Sequence, residues 1–223
     1  MELTVTFGFE IISLLIALFF YIQKRNKILK YFIPFLLLTV IVEFTGWWWT
    51  VHNGPWKFAM YNIFTPVEFL FYAFLFYIHL NKPIFKKIIL FFSPVFILCT
   101  VLNMLWIQGI NSTFNNYIFL LGSFCVVVFC CLYFYESVLP DKIDLQLSLQ
   151  PFFWICSGLL INYLGSVIIN ALFEYLTSND LQSEGRRIYI TINNSLNVIL
   201  YSSFCIAFYL CPNHKKISSS QSL

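Results

Sequence analysis

Charged residues are scarce in this 223-residue chain, where they make up 10% of the sequence. Soluble domains carry about 25%. Because 60% of the residues are hydrophobic, the composition argues against a water-soluble fold and indicates a lipid bilayer as the main partner. The formal net charge is +3, but the basic residues lie between apolar runs instead of on one face. Nucleic acid is therefore not an expected partner.

Histidine is equally scarce, with only His52, His79 and His214 in the chain. Intramembrane zinc hydrolases need several metal ligands, and a serine nucleophile needs a nearby base. The chain also lacks a glycine-rich phosphate loop, and its last apolar run contains no lysine that could hold retinal. We therefore predict no catalytic residue, no metal site and no cofactor, and we do not expect an enzyme.

Seven cysteines are present, and all lie within or at the edge of apolar runs. The adjacent Cys130 and Cys131 cannot face the same partner on a helix. We interpret the cysteines as small apolar packing residues and not as a disulfide framework.

Long apolar runs are what the chain does contain. In hydrocarbon, every backbone N–H and C=O must be satisfied within the protein, and uninterrupted runs of about 20 residues satisfy them as helices. The fold class predicted is all-α, a polytopic membrane protein with a single seven-helix bundle over residues 1–211 and a short disordered tail over 212–223. The predicted spans are about 5–22, 31–50, 58–80, 88–107, 116–138, 151–173 and 188–211.

The distribution of basic residues predicts the orientation. With the N-terminus outside and the C-terminus in the cytoplasm, three basic residues lie outside, namely Lys57, Arg186 and Arg187, and the remaining ten of the 13 lie inside. Cytoplasmic loops of membrane proteins carry this excess. We expect the plasma membrane, the inner membrane if the source is bacterial.

Three glutamates lie within predicted spans, where a charged side chain is costly and needs a partner, a wet cavity or protonation. Glu10 and Glu43 are expected in the outer half of the bilayer and Glu68 near its middle. Helical spacing places Tyr61, Thr65, Glu68 and Tyr72 on one face of the third span. Asparagines on the third, sixth and seventh spans add further polar groups.

These polar groups have two interpretations. Glutamate and asparagine side chains commonly hydrogen-bond between helices and hold a bundle together. Alternatively, they line a polar pocket, open to the exterior, between the second, third, sixth and seventh spans. The candidate pocket residues are Glu10, Glu43, Asn62, Thr65, Glu68, Asn162, Asn170, Asn193 and Asn197.

Tryptophans cluster where the second and third spans are predicted to meet the exterior, at Trp47, Trp48, Trp49 and Trp56. Indole rings favour the headgroup region, so an interfacial belt is the simplest interpretation. A cage that stacks on a ligand is the alternative.

The chain resembles uncharacterised bacterial seven-helix membrane proteins and the membrane-embedded sensing regions of some histidine kinases, by its short loops, its Phe-, Ile-, Asn- and Lys-rich composition and its isolated intramembrane glutamates. This resemblance implies a receptor or sensor that takes a small exterior ligand and signals to a separate cytoplasmic protein. The alternatives are a small transporter or proton-coupled carrier that uses the glutamates, and a structural subunit of a membrane complex.

Overall fold

The structure is a computed structural model and describes residues 5–24, 27–52, 54, 56–138, 147–178 and 182–211. The predicted disordered tail, residues 212–223, lies outside these ranges. The described residues contain seven α-helices: α1 Val5–Lys24, α2 Lys27–Val51, α3 Lys57–His79, α4 Pro83–Leu102, α5 Asn116–Val138, α6 Pro151–Ser178 and α7 Gln182–Leu210. A π-helical turn, Asn103–Ile107, extends α4, and a 3-10 turn, Leu147–Leu149, precedes α6.

Each of the seven helices is long and apolar enough to cross a membrane. The all-α fold class and its seven potential membrane spans are therefore confirmed. The corresponding segments are Val5–Ile22, Ile28–Val51, Phe58–His79, Pro83–Ile107, Asn116–Val138, Pro151–Leu172 and Gly185–Leu210.

The start of α4 differs from the prediction, because the helix begins at Pro83 and not at about residue 88. Proline is favoured at the first helical position, where its missing N–H leaves no bond unmade. Lys86 and Lys87 interrupt the apolar run but not the helix, since lysine has a good helix propensity. The Lys86 ammonium lies 5.1 Å from the ring centroid of Tyr77, a cation–π distance.

The contacts divide the chain into two compact units, and their boundary falls within α2. Of the described residues, the α3–α5 unit comprises 38–52, 54 and 56–138. Of the described residues, the α1–α6–α7 unit comprises 5–24, 27–37, 147–178 and 182–211. The single domain over residues 1–211 stays a prediction.

Aromatic rings fill the centre of the α3–α5 unit. The rings of Phe69 in α3 and Phe96 in α4 lie with centroids 3.9 Å apart, and Phe129 of α5 is 6.2 Å from Phe69. Gly122 of α5 leaves room for this cluster, because a Cβ at that position would lie 3.1 Å from the Phe96 ring. The three helices are thus in mutual contact through large apolar side chains.

In the α1–α6–α7 unit, two glycines of α6 allow close packing against α7. A Cβ at Gly158 would lie 2.7 Å from Ser203, and one at Gly165 would lie 2.6 Å from Leu196. Small residues bring helix backbones together in membrane proteins, where dispersion contacts replace the hydrophobic effect between helices. The pair α6 and α7 is therefore specified partly by these glycines.

Candidate functional site

The predicted pocket residues fall into both units, and each unit contains its own polar groups. Four of them, Glu43, Asn62, Thr65 and Glu68, belong to the α3–α5 unit. The other five belong to the α1–α6–α7 unit: Glu10, Asn162, Asn170, Asn193 and Asn197. A pocket shared by the second, third, sixth and seventh spans stays a prediction.

A polar stripe along α3 brings together two glutamates, Glu43 of α2 and Glu68 of α3, with two tyrosines of α3. The hydroxyl of Tyr61 donates to Oε2 of Glu43 at 3.3 Å, and the hydroxyl of Tyr72 donates to Oε1 of Glu68 at 3.3 Å. Between them, Thr65 donates to the backbone carbonyl of Tyr61 at 2.9 Å. We call these five residues the α3 stripe. Each of its carboxyl groups has a phenol as a hydrogen-bond donor.

The burial of the α3 stripe is uneven. Tyr72 is buried, whereas Glu43, Tyr61, Thr65 and Glu68 keep part of their surface exposed. A carboxylate has lone pairs for several hydrogen bonds, so one tyrosine donor does not use up its capacity to accept. The α3 stripe therefore pairs a tyrosine hydroxyl with a partly exposed carboxyl group at two positions, Tyr61 with Glu43 and Tyr72 with Glu68.

Gly46 of α2 explains how Tyr61 reaches Glu43. A Cβ at position 46 would collide with the Tyr61 hydroxyl and with ring atoms 2.7 and 2.9 Å away. Gly46 is one helical turn from Glu43 in sequence, so both lie on the same face of α2. The missing side chain at Gly46 makes the space that the Tyr61 ring occupies.

Asn62 holds the loop between α4 and α5. Its amide nitrogen donates to the carbonyls of Ile110 at 2.9 Å and Thr113 at 2.8 Å. Its amide oxygen accepts from the backbone N–H of Asn115 at 2.9 Å. Asn62 is 1% exposed, and the three bonds give both its amide oxygen and its amide nitrogen a partner. This supports the interpretation that Asn62 holds parts of the bundle together by hydrogen bonds.

The loop from Gln108 to Asn115 folds back on the end of the π-helical turn. Gly109 has φ +67°, a left-handed conformation that favours glycine. The Gln108 carbonyl accepts hydrogen bonds from Ser112 and from Thr113, the latter at 3.5 Å. The side-chain oxygen of Gln108 accepts a hydrogen bond from the side-chain amide of Asn103 at 3.1 Å.

Glu136, in the last turn of α5, is a buried polar residue that is not among the predicted pocket residues. Its carboxylate accepts from the backbone N–H of Asn81 at 3.0 and 3.1 Å and from that of Lys82 at 3.4 Å. Glu136 is 4% exposed. The signal in the sequence was its position in the last turn of α5, where the helix dipole disfavours a carboxylate. A partner outside α5 was therefore to be expected.

In the α1–α6–α7 unit, asparagines pair between helices. Asn162 of α6 donates to Asn197 of α7 at 3.1 Å. Tyr189 donates to the Asn170 amide oxygen at 3.3 Å, and the Asn170 amide nitrogen donates to the carbonyl of Ser166 at 2.7 Å. These bonds join α6 to α7 at two levels, which is the behaviour of interhelical glue.

The remaining predicted residues of this unit lie on α1 and α7. Glu10 is 3% exposed and shares the buried face of α1 with Thr6 and Ser13. Thr6 lies 3.3 Å from the amide oxygen of Asn194 on α7, to which it donates. Asn193, beside it in sequence, keeps part of its surface exposed.

The tryptophans do not form a closed cage in the described residues. Trp48 is 47% exposed and Trp56 is 56% exposed. Trp48 stacks on the imidazole of His52 with centroids 4.1 Å apart, and the Trp49 ring lies against Gly54. Exposed indoles at a helix end support the interfacial belt.

All seven cysteines are free thiols, and Cys125, Cys130, Cys156 and Cys211 are buried. Cys130 is buried and Cys131 exposed, in keeping with the angle of about 100° between consecutive residues of an α-helix. Over the part of the chain that the structure describes, no three His, Cys, Asp or Glu side chains are grouped to hold a metal ion.

No family model, no curated protein and no solved structure matches this chain.

Proposed function

We propose that this protein is a receptor or sensor of the plasma membrane that binds a small ligand at the α3 stripe. One observation carries the proposal. Two half-buried carboxyl groups, Glu43 and Glu68, each accept a hydrogen bond from a tyrosine within helices that are apolar enough to span a membrane. A structural bundle has no need for accessible acids at this depth, because each costs free energy to insert.

The chemistry of the stripe selects the ligand. Carboxyl groups accept hydrogen bonds and attract positive charge, and the second and third predicted spans contain no Lys or Arg over residues 31–50 and 58–80 that could neutralise them. A small amine or other cationic donor fits both glutamates. The tyrosine hydroxyls hold the carboxyl groups in place before the ligand arrives, which lowers the cost of ordering them.

The proposed orientation has the N-terminus outside and the C-terminus in the cytoplasm. Support comes from the excess of basic residues that this orientation places inside. It brings the ligand from the exterior to Glu43 first. Because the loops between the helices are short, a separate cytoplasmic protein is the proposed recipient of the signal.

The test is ligand-dependent stability of the purified protein in detergent. A panel of small primary and quaternary amines is expected to raise the thermal midpoint of the wild type in a saturable way, since a ligand that binds only the folded state stabilises it. Glu68→Gln and Tyr61→Phe should lose the shift while remaining folded. Tyr117→Phe, a matched change at a tyrosine that is 60% exposed, should keep it. An amine panel that leaves the wild-type midpoint unchanged would count against the stripe as a binding site.

A proton-coupled carrier is the second candidate, because Glu43 and Glu68 lie at successive levels beside one helix. Protonation of such carboxyl groups is a common way to couple transport to a proton gradient. The discriminating measurement is substrate-dependent proton flux into proteoliposomes. Flux that Glu68→Gln abolishes would place the protein among carriers, whereas amine binding without flux favours the receptor. If the protein is a structural subunit, the third candidate, neither amine binding nor proton flux is expected.

A further inference from the structure

Positive charge gathers at the end of the α3–α5 unit where α3 ends and α4 begins. The Glu136 carboxylate of α5 accepts from the backbone N–H of Asn81, so the last turn of α5 lies at the same end. Over residues 69–138 the sequence contains one acidic residue, Glu136, and three lysines, Lys82, Lys86 and Lys87. This end of the unit therefore has an excess of positive charge.

Aromatic rings hold two of these ammonium groups. The Lys82 Nζ atom lies 5.6 Å from the ring centroid of Phe85 and 5.4 Å from that of Tyr135. The Lys86 Nζ atom lies 5.1 Å from the ring centroid of Tyr77. These are cation–π distances, and the rings come from α4, α5 and α3. An aromatic ring attracts a cation through its quadrupole but carries no net charge, so these contacts position the ammonium groups without neutralising them.

The two lysines lie at the depth of lipid headgroups. The segment of α3 that could cross a membrane ends at His79, and that of α4 begins at Pro83. Lys82 directly precedes Pro83. Lys86 is one turn further along α4, but helical side chains tilt toward the N-terminus and long lysine stems reach the boundary. Both lysines keep part of their surface exposed, and Tyr135 is 59% exposed, as is typical of aromatic residues in the headgroup region.

We propose that Lys82 and Lys86 bind the headgroup phosphates of anionic phospholipids. An ammonium group has three N–H donors, and those that point away from the ring can make charge-assisted hydrogen bonds to phosphate oxygens. The exposed Lys87 adds to the attraction. A zwitterionic headgroup fits less well, because its own cation is repelled by the lysines. This surface follows the last turn of α3, whereas Tyr61 of the α3 stripe lies in the first two turns, and it does not depend on the receptor function.

The test is a titration of the purified protein in detergent with short-chain phospholipids. Phosphatidylglycerol is expected to raise the thermal midpoint of the wild type saturably, since a ligand that binds only the folded state stabilises it, and phosphatidylcholine is not. The double variant Lys82→Gln with Lys86→Gln should weaken the apparent affinity for phosphatidylglycerol roughly 30-fold, the factor for two lysines near an anionic surface. Lys30→Gln, the same change at an exposed lysine of α2, is the matched control and should alter it little.

A variant that keeps every charge separates a positioned ammonium group from surface charge alone. Tyr77→Leu removes the ring beside Lys86 and should weaken the affinity for phosphatidylglycerol by about two- to fivefold, as expected for an exposed cation–π contact. An unchanged affinity in Tyr77→Leu, or equal losses in Lys30→Gln and the double variant, overturns the proposal. So does a wild-type midpoint that rises equally with phosphatidylcholine or with inorganic phosphate, or that does not rise with phosphatidylglycerol.

The wild type alone decides if the double variant does not fold. Native mass spectrometry of the protein from detergent with equal amounts of phosphatidylglycerol and phosphatidylcholine measures which lipid stays bound. Preferential retention of phosphatidylglycerol supports the site, and equal retention of the two lipids overturns it.

Discussion

The Glu136 carboxylate on α5 accepts hydrogen bonds from the Asn81 backbone N–H at 3.0 Å to Oε1 and 3.1 Å to Oε2. Lys82, the residue before the first turn of α4, donates its backbone N–H to Oε2 at 3.4 Å. A carboxylate at a helix N-terminus satisfies free N–H groups and interacts favourably with the helix dipole. The end of α5 thereby fixes the short connection between α3 and α4.

Glu136→Gln is expected to lower the free energy of unfolding by about 1.5–3 kcal/mol, the range for hydrogen bonds to a charged group. The amide keeps the size of the side chain but offers one acceptor oxygen in place of two. Unfolding by denaturant in detergent micelles measures the change. Ser137→Ala is the control, since Ser137 donates only to the Tyr133 carbonyl within its own helix in the bonds described. Equal losses in both variants would contradict the role of Glu136.

Asn62→Ala should release the α4–α5 loop. It removes three hydrogen bonds, and at about 0.5–1.5 kcal/mol each we expect a loss of roughly 2–4 kcal/mol. Proteolysis or hydrogen exchange should increase most at residues 108–115. The exposed Asn116 supplies the control Asn116→Ala, and a global loss of protection without a local maximum in the loop would be inconsistent with this role.

Gly46→Ala is expected to displace Tyr61 from Glu43, because the new methyl group meets the tyrosine hydroxyl. Alanine normally gains about 1 kcal/mol over glycine inside a helix, and here crowding should cancel or reverse that gain. Gly8→Ala is the matched control, since a Cβ there has nothing within 4 Å. We expect the two variants to differ by about 1–3 kcal/mol in unfolding free energy, and equal effects would refute the close contact.

Asn162 and Asn197 are expected to be energetically coupled through their 3.1 Å hydrogen bond. In a double-mutant cycle with alanine at each position, the interaction free energy should be about 0.6–2 kcal/mol, as for polar pairs in other membrane bundles. Asn162 paired with Ser195, an exposed residue of α7, provides a cycle that should give nearly zero. A coupling equally small for Asn197 would mean that the pair does not hold α6 to α7.

The proposed orientation is tested by labelling introduced cysteines in intact cells. Arg187 of α7 and Lys87 of α4 are both exposed and are predicted to lie on opposite sides of the membrane. A membrane-impermeant thiol reagent should label Arg187→Cys in intact cells and Lys87→Cys only after permeabilisation. The parent chain measures background from the exposed Cys131. If Lys87→Cys were labelled in intact cells and Arg187→Cys only after permeabilisation, the N-terminus would lie in the cytoplasm and the proposed orientation would be wrong.

Helices α4 and α5 show which parts of the fold the sequence predicts. Both are evident as apolar runs, because a backbone in lipid must close its own hydrogen bonds. The start of α4 at Pro83 was missed because hydropathy treats Lys86 and Lys87 as an end, whereas a helix carries lysine without difficulty. The α3 stripe was predictable in part, since Tyr61, Thr65, Glu68 and Tyr72 share one face by spacing alone.

The chain's sequence determined that seven helices form and which residues share a face of each, since helical periodicity and hydropathy are local properties. Only the tertiary structure decided which polar groups meet. Asn62 holds the α4–α5 loop, and Glu136 accepts a hydrogen bond from Asn81 on a connection more than fifty residues earlier. Hydrogen-bond partners so distant along the chain depend on packing, because only the packing of the helices brings them within hydrogen-bond distance.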